Sequence, residues 1–295
     1  MNNNKFKGII AYPITPFKKD ESVDIPLFKK LVERLVLNNA NVIAPLGSTG
    51  VLPYLNDSEK ESIVKATIEQ VKGRIPVLVG VSNLTTERTI HHAKYAEQQG
   101  VDAVMIIPMS YWKLTADEIF DHYNTVAQEI SIPIMAYNNP ATSGVDMPTE
   151  LLERLLTISN VTMIKESTGD IQRMHYLKKT LGDKVAFFNG SNPLALGAFA
   201  AGATGWCTAA HNLIPDLNVK LYEAIEKNDL QEAQIIFHKQ LDLLKFIVRV
   251  GLPRSIKAGL NILGEDGGYL RSPLKPMLSS DYNELRELLE KIAEV

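Results

Sequence analysis

The 295-residue sequence predicts an α/β fold: a (β/α)8 TIM barrel with a C-terminal helical extension. Three observations carry that expectation. Short apolar runs alternate with amphipathic helical patterns from the start of the chain to about residue 225. Most of these runs are apolar throughout and rich in Val and Ile, as strands covered on both faces are. There are eight of them, and parallel strands need helical crossovers, normally right-handed. A doubly wound open sheet uses the same local pattern, but the count favours closure into a barrel.

The expected strands, in order, are 8–14 (GIIAYPI), 41–46 (NVIAPL), 77–81 (VLVGV), 103–108 (AVMIIP), 132–138 (IPIMAYN), 161–166 (VTMIKE), 185–190 (VAFFNG) and 204–209 (TGWCTA). The first helix runs from Ile25 to Asn38, with Leu27, Leu31, Leu35 and Val36 on one stripe. Asp57 or Ser58 caps the second, with Glu61 spaced as in a capping box. Thr85 or Thr86 opens the third, which ends near Gly100, and Thr115 opens the fourth with Glu118 three residues on. Pro148 and Thr149 start the fifth and Asp170 the sixth; a Gly182–Asp183 turn and Gly202 mark further boundaries. After residue 228 the pattern is helical only: Leu230–Val250, Pro253–Leu263 and Asp281–Ala293. The reading is a catalytic barrel at 1–228 and an extension at 229–295 packed on it, with no low-complexity linker.

The bulk composition excludes several classes. Lys and Arg total 31 against 34 Asp and Glu, a net charge of -3, so nothing draws the chain in bulk toward nucleic acid. Cys207, the only cysteine, cannot form an intrachain disulfide and reads as a buried structural thiol. MNNNKFKGII lacks a secretory signal, and no apolar run approaches the roughly 20 residues of a membrane helix. The expected compartment is the cytoplasm. No His/Cys/Asp/Glu cluster has zinc-ligand spacing, and no G-x-G-x-x-G follows a strand, so no metal or dinucleotide is expected. His91 and His92 are adjacent on a helix and read as a surface pair, unable to face one ligand. His211 either lines the barrel mouth or serves its loop. Arg249, Arg254 and Lys257 read as packing and subunit-contact residues.

In a barrel the active site lies at the C-terminal ends of the strands. Strand two ends in Gly47-Ser48-Thr49-Gly50, strand four in Pro108-Met109-Ser110-Tyr111-Trp112 and strand five in Tyr137-Asn138-Asn139-Pro140. Strand six ends in Lys165-Glu166-Ser167-Thr168 and strand seven in Asn189-Gly190-Ser191-Asn192. Burial disfavours the charged form of a lysine, and a neutral amine can attack a ketone to form an electron-withdrawing iminium. Lys165 is therefore the candidate nucleophile; the competing reading is a structural lysine paired with Glu166. Tyr137 can shuttle protons or bind a carboxylate. The GSTG turn offers hydroxyls and backbone N–H groups suited to a small anion, but it is not a phosphate loop, since no Gly-Lys-Ser/Thr follows.

Together, Gly47-Ser48-Thr49-Gly50, Tyr137-Asn138-Asn139-Pro140, Ile164-Lys165-Glu166-Ser167 and the opening Pro13-Ile14-Thr15-Pro16-Phe17 resemble the dihydrodipicolinate synthase / N-acetylneuraminate lyase family of class I aldolases. The resemblance spans essentially the whole chain. It implies that Lys165 forms a Schiff base with a 2-oxo acid such as pyruvate and that Tyr137 is the general acid/base. It implies that Ser48 and Thr49, with Gly47, hold the substrate carboxylate, with Ser48 also relaying protons. Gly190 and Ser191 are further substrate-binding candidates. Tyr111 resembles a catalytic tyrosine inserted into a neighbouring subunit's site, a match needing a one-residue shift after Pro108. The resemblance also implies a homotetramer, a dimer of dimers, that needs no metal or organic cofactor.

The departures bear on substrate choice. The dihydrodipicolinate synthases carry an arginine where Thr142 stands here, and it binds the second substrate's carboxylate. The ATSG stretch looks more like the sialic acid lyases, yet Gly190-Ser191-Asn192 lacks their acidic pair, and Val51 replaces the usual glutamate after GSTG. The resulting expectation is a Schiff-base lyase or aldolase of pyruvate or a related 2-oxo acid. The alternatives are 4-hydroxy-tetrahydrodipicolinate synthase, a dehydratase or deaminase of a 2-oxo or hydroxyproline-derived acid using the same lysine, and a non-catalytic binding barrel.

Overall fold

Eight parallel strands wrap around a common axis in a computed structural model that describes residues 5–182 and 185–293. Strands and helices alternate as β1 (Gly8–Ala11), α1 (Ile25–Leu37), β2 (Val42–Ile43), α2 (Asp57–Val71), β3 (Leu78–Gly80), α3 (Thr86–Gln98), β4 (Ala103–Ile106) and α4 (Ala116–Ala127). There follow β5 (Ile134–Asn138), the short helices α5 (Pro140–Ser143) and α6 (Thr149–Leu155), β6 (Val161–Glu166), α7 (Ile171–Leu181), β7 (Ala186–Asn189), α8 (Ala195–Ala200) and β8 (Gly205–Thr208). The ladder runs β2-β1-β8-β7-β6-β5-β4-β3, and a parallel bridge between Ile43 and Val77 closes the ring. This is the expected TIM barrel.

Most strands are shorter than their apolar runs. Pro13, Pro45 and Pro108 cut the first, second and fourth runs, because proline has no N–H to give the ladder. The same bends release the ends of those runs as loops over the C-terminal mouth.

Helix starts follow their caps. Thr85 caps α3 and Thr115 forms a capping box with Glu118 on α4, as the spacing predicts. The second helix corrects the expectation. Asn56 caps α2, and Glu59 completes its box, with reciprocal bonds of 2.9 and 3.0 Å. Glu61 instead meets His91 at 3.0 Å. The short helix α5 was not anticipated; it lies directly behind Tyr137-Asn138-Asn139. Asp183 lies outside the described residues, so the expected turn there is seen only to Gly182, which caps α7.

The interior divides by strand alternation. Residues such as Ile43, Val79, Val104, Ala136 and Ile164 face the helices. Their neighbours Val42, Leu78, Met105, Met135, Met163 and Phe188 fill the barrel. Two residues beyond Met135 and Met163 come Tyr137 and Lys165, so both point into the barrel at its C-terminal end.

The remaining helices are α9 (Pro215–Glu226), α10 (Leu230–Val250), α11 (Leu252–Ile262) and α12 (Ser279–Ala293). Helix α10 packs on α8, α9, α11 and α12, and this layer shares a core with Ile9, Ile14 and Trp206 of the barrel. Lys257 of α11 is buried and serves packing within the chain. Its amine donates to the Thr15 carbonyl at 2.9 Å and to the Tyr269 carbonyl, over the ring of Phe17, and burial pushes its pKa down to about 7. Thr15 in turn donates its hydroxyl to the Gly50 carbonyl at 2.7 Å. The helical extension is thereby tied to the GSTG turn. No helix among the described residues is long and apolar enough to cross a membrane.

Candidate active site

The β5–β6 ladder places Tyr137 directly opposite Lys165. Lys165 is only 5% exposed. Its amine sits between two phenol rings, 3.9 Å from the centroid of Tyr137 and 4.1 Å from that of Tyr12. Among the described residues it has no hydrogen bond and no ion pair.

The expected alternative, a pair with Glu166, does not form. Successive strand residues face opposite ways, so Glu166 points away from the barrel interior. It accepts from Thr168 N at 2.7 Å and from Asn138 Nδ2 at 3.1 Å, with Arg173 at 3.8 Å. Asn138 also bonds Asp146 and the Met147 N–H, and Arg173 forks onto Asp146 at 2.6 and 2.9 Å. This network, buried at Asn138 and Glu166, staples the ends of β5 and β6 together. It fixes the register that brings Tyr137 and Lys165 side by side.

Tyr137 is 3% exposed, and its hydroxyl accepts from Asn139 Nδ2 at 2.7 Å. That contact fixes the oxygen and leaves the hydroxyl proton free to be given elsewhere. Tyr12, which the sequence reading passed over, forms the other wall. Burial holds its phenol well above the ordinary range, so it stays neutral beside the amine. The available signal was its place toward the end of the first apolar run, as Tyr137 stands toward the end of the fifth.

Two glycines make the close packing possible. A Cβ on Gly47 would lie 2.6 Å from the Tyr12 ring, and one on Gly190 would lie 2.8 Å from Lys165 Cε and 1.8 Å from Ser167 Oγ. Ser167 Oγ is buried and unpartnered beside the lysine stem.

The GSTG turn begins and ends on left-handed residues, Leu46 at φ 59° and Val51 at φ 52°. For a β-branched valine this is a strained conformation. The N–H groups of Gly47, Ser48, Thr49 and Gly50 meet no acceptor among the described residues. Successive unpaired N–H groups in one turn favour an anion.

A cavity of about 230 Å³ opens over this mouth. Gly47, Ser48 and Tyr137 line it, together with Thr142 and Ser143 of α5, while Pro253 and Leu274 bring the extension into its wall. Lys165 is not in the wall; it lies one ring behind it, shielded by Tyr137. Thr49 is buried within the turn, and Ser191 is held through its backbone by Asn189 beside Gly190. Tyr111 is not brought to this chain's site. It is 89% exposed and stacks edge-on against Trp112.

His211 does not line the mouth either. It is fully buried near Arg34 and Leu35 of α1, with both ring nitrogens unpartnered, and burial pushes its pKa down to about 4. His92, read as a surface residue, is buried and lies 3.0 Å from Asp57, while His91 is exposed. Cys207 is the buried thiol expected. No group of three or more potential metal ligands occurs among the described residues.

A (β/α)8 barrel that presents a buried, unpaired lysine beside a tyrosine at its C-terminal mouth defines a class I, lysine-dependent lyase or aldolase. The chain belongs to the dihydrodipicolinate synthetase family, whose model matches residues 5–292. It is 31% identical over 293 residues to a 4-hydroxy-tetrahydrodipicolinate synthase of Phocaeicola vulgatus, covering 99% of each chain. Its fold matches a Pseudomonas aeruginosa protein described as a candidate dihydrodipicolinate synthetase (49% identity, TM-score 0.95, covering 97% of this chain and 99% of that one). It also matches dihydrodipicolinate synthase of Aquifex aeolicus (31% identity, TM-score 0.93, covering 98% of each). The protein is thus an enzyme, a Schiff-base lyase or aldolase of pyruvate-type 2-oxo acids.

Proposed function

We propose that Lys165 carries the chemistry by forming an iminium with the keto carbon of pyruvate or a close relative. The observation that carries this reading is the Lys165 amine itself, buried, unpaired and opposite Tyr137. Charge and hydrogen-bonding capacity of this kind are costly to bury without a use. Tyr137, its oxygen fixed by Asn139, gives and takes the proton at the reacting carbon and its oxygens. The unpaired N–H groups of the turn 47–50, with the hydroxyls of Ser48 and Thr49, hold the carboxylate. Gly190 and Ser191 complete the wall around the lysine stem. The chemistry requires no metal and no organic cofactor, since the iminium is itself the electron sink.

Tyr111 serves the site of a neighbouring subunit in a homotetramer of paired dimers, working in the cytoplasm. Its full exposure beside Trp112 supports a role outside its own chain. The segments 1–228 and 229–295 act as barrel and buttress, the latter steadying the turn through Lys257 and Thr15.

A second reading, 4-hydroxy-tetrahydrodipicolinate synthase, is favoured by the name of the Phocaeicola vulgatus relative. Thr142 opposes it, because the carboxylate of aspartate semialdehyde would lack its arginine. Steady-state condensation of pyruvate with aspartate semialdehyde separates the two. Negligible turnover by an enzyme that still binds pyruvate covalently supports the open lyase reading. A kcat/KM in the ordinary enzyme range, above about 10⁴ M⁻¹s⁻¹, establishes the synthase instead.

A further inference from the structure

The cavity wall, taken group by group, restricts what can meet the enamine of pyruvate. Among its lining residues there is no Arg, Lys, Asp or Glu. Much of the wall is apolar: Leu46, Val51, Leu52, Ile107, Met109 and Leu274. Half of its side-chain hydroxyls are already committed. Ser82 Oγ accepts from Ile107 N at 2.8 Å, Ser143 Oγ bonds the carbonyls of Asn139 and Val145, and Tyr137 is held by Asn139. Only the hydroxyls of Ser48, Tyr54 and Thr142 have no partner among the described residues.

Arg271, which holds the Tyr54 carbonyl beside the cavity, is committed as well. Arg271 is bound to Glu59 at 2.8 and 2.5 Å and to the Tyr54 carbonyl at 2.8 Å. A second carboxylate in this cavity would therefore meet no charged side chain in the wall, and three free hydroxyls on an otherwise apolar wall serve a polyol poorly. The cavity is also small, about 230 Å³, below the roughly 300–1,000 Å³ of sites for drug-sized ligands.

We infer that the second substrate is an uncharged aldehyde with a short apolar chain, its tail on the Leu52, Ile107 and Met109 wall and its oxygen near Thr142 or Tyr137. The inference rests on the Schiff-base reading of Lys165. The reaction balances without a further reagent. Tyr137 gives its hydroxyl proton to the departing hydroxide, so that water leaves as the iminium forms, and the resulting phenolate takes a proton from the pyruvate methyl group. The resulting enamine carbon bonds to the aldehyde carbon, whose oxygen takes that proton and becomes a hydroxyl. Water then hydrolyses the iminium, freeing Lys165 and a 4-hydroxy-2-oxo acid with an apolar tail.

The test is an acceptor panel with pyruvate: butanal and benzaldehyde against aspartate semialdehyde, succinic semialdehyde and glyceraldehyde, with borohydride trapping of pyruvate in parallel. The uncharged apolar aldehydes are expected to exceed the others by about 100-fold or more in kcat/KM. Thr142→Arg, a change on the exposed rim, is expected to raise turnover of the two semialdehydes by about tenfold or more and to lower that of butanal. If pyruvate is trapped but a charged or polyhydroxylated aldehyde is preferred, or no aldehyde reacts, the inference is overturned and the Schiff-base reading stands. If pyruvate is not trapped, both fall together.

Discussion

Tyr137 and Lys165 are register partners on β5 and β6, and the lysine amine lies 3.9 Å from the centre of the tyrosine ring. Backbone pairing, not a loop, sets their separation. The two groups proposed to carry the chemistry are thus held by the most rigid part of the molecule.

Removing the phenol oxygen tests the proton-transfer role. Tyr137→Phe should retain the ring beside Lys165 and lower kcat by about 10²–10⁴-fold. Asn139→Ala removes only the bond that fixes the oxygen and should cost about fivefold to tenfold. Equal losses in the two variants would mean that Tyr137 acts through packing.

Gly190 tests the placement of the lysine stem. Its backbone is not in the left-handed region, so alanine is tolerated conformationally, but its Cβ would overlap Lys165 Cε and Ser167 Oγ. Gly190→Ala should therefore cost about 1–3 kcal/mol of stability through overpacking and slow covalent pyruvate capture by about 100-fold, the scale of a 1 Å misplacement. Capture at the wild-type rate would show that the stem has room to spare.

The link from the extension to the turn is testable at Thr15. Thr15→Val keeps the shape and deletes the bond to the Gly50 carbonyl. Losing about 1 kcal/mol of turn order should raise the KM for pyruvate about fivefold with kcat nearly constant. Lys257→Met leaves the buried Thr15 carbonyl unpaired and should cost stability as well, by about 1–3 kcal/mol, read from urea unfolding.

Much of this was legible in the sequence, and the gaps have physical causes. Apolar runs, crossovers and the motifs at 47–50, 137–140 and 164–167 gave the barrel and its mouth. Which way each residue faces could not be read, because strands covered on both sides carry no alternation. That is why the pairing of Lys165 with Glu166 stayed open until the register placed them on opposite faces. Tyr12 was missed, and the partners of Lys257 were not foreseen, for a related reason. Their roles depend on long-range contacts, with Gly47 and Lys165 for one and with Thr15 and Tyr269 for the other.

His211 should make the fold acid-sensitive. Burial lowers its pKa from 6.5 to about 4, so between those values the unfolded chain binds more protons than the folded one. Stability is full above about pH 6.5 and is lost as pH falls toward 4, amounting to about 2 kcal/mol by about pH 5. His211→Leu should shrink the drop in Tm between about pH 7.5 and about pH 5, while an unchanged drop would place the sensitivity elsewhere.

The most direct test of the central claim is borohydride reduction in the presence of pyruvate, followed by peptide mass mapping, with Lys165→Ala as the control. The account predicts one pyruvate-sized adduct, located on Lys165 and absent from the variant. An adduct on another lysine, or none with any 2-oxo acid, would contradict it.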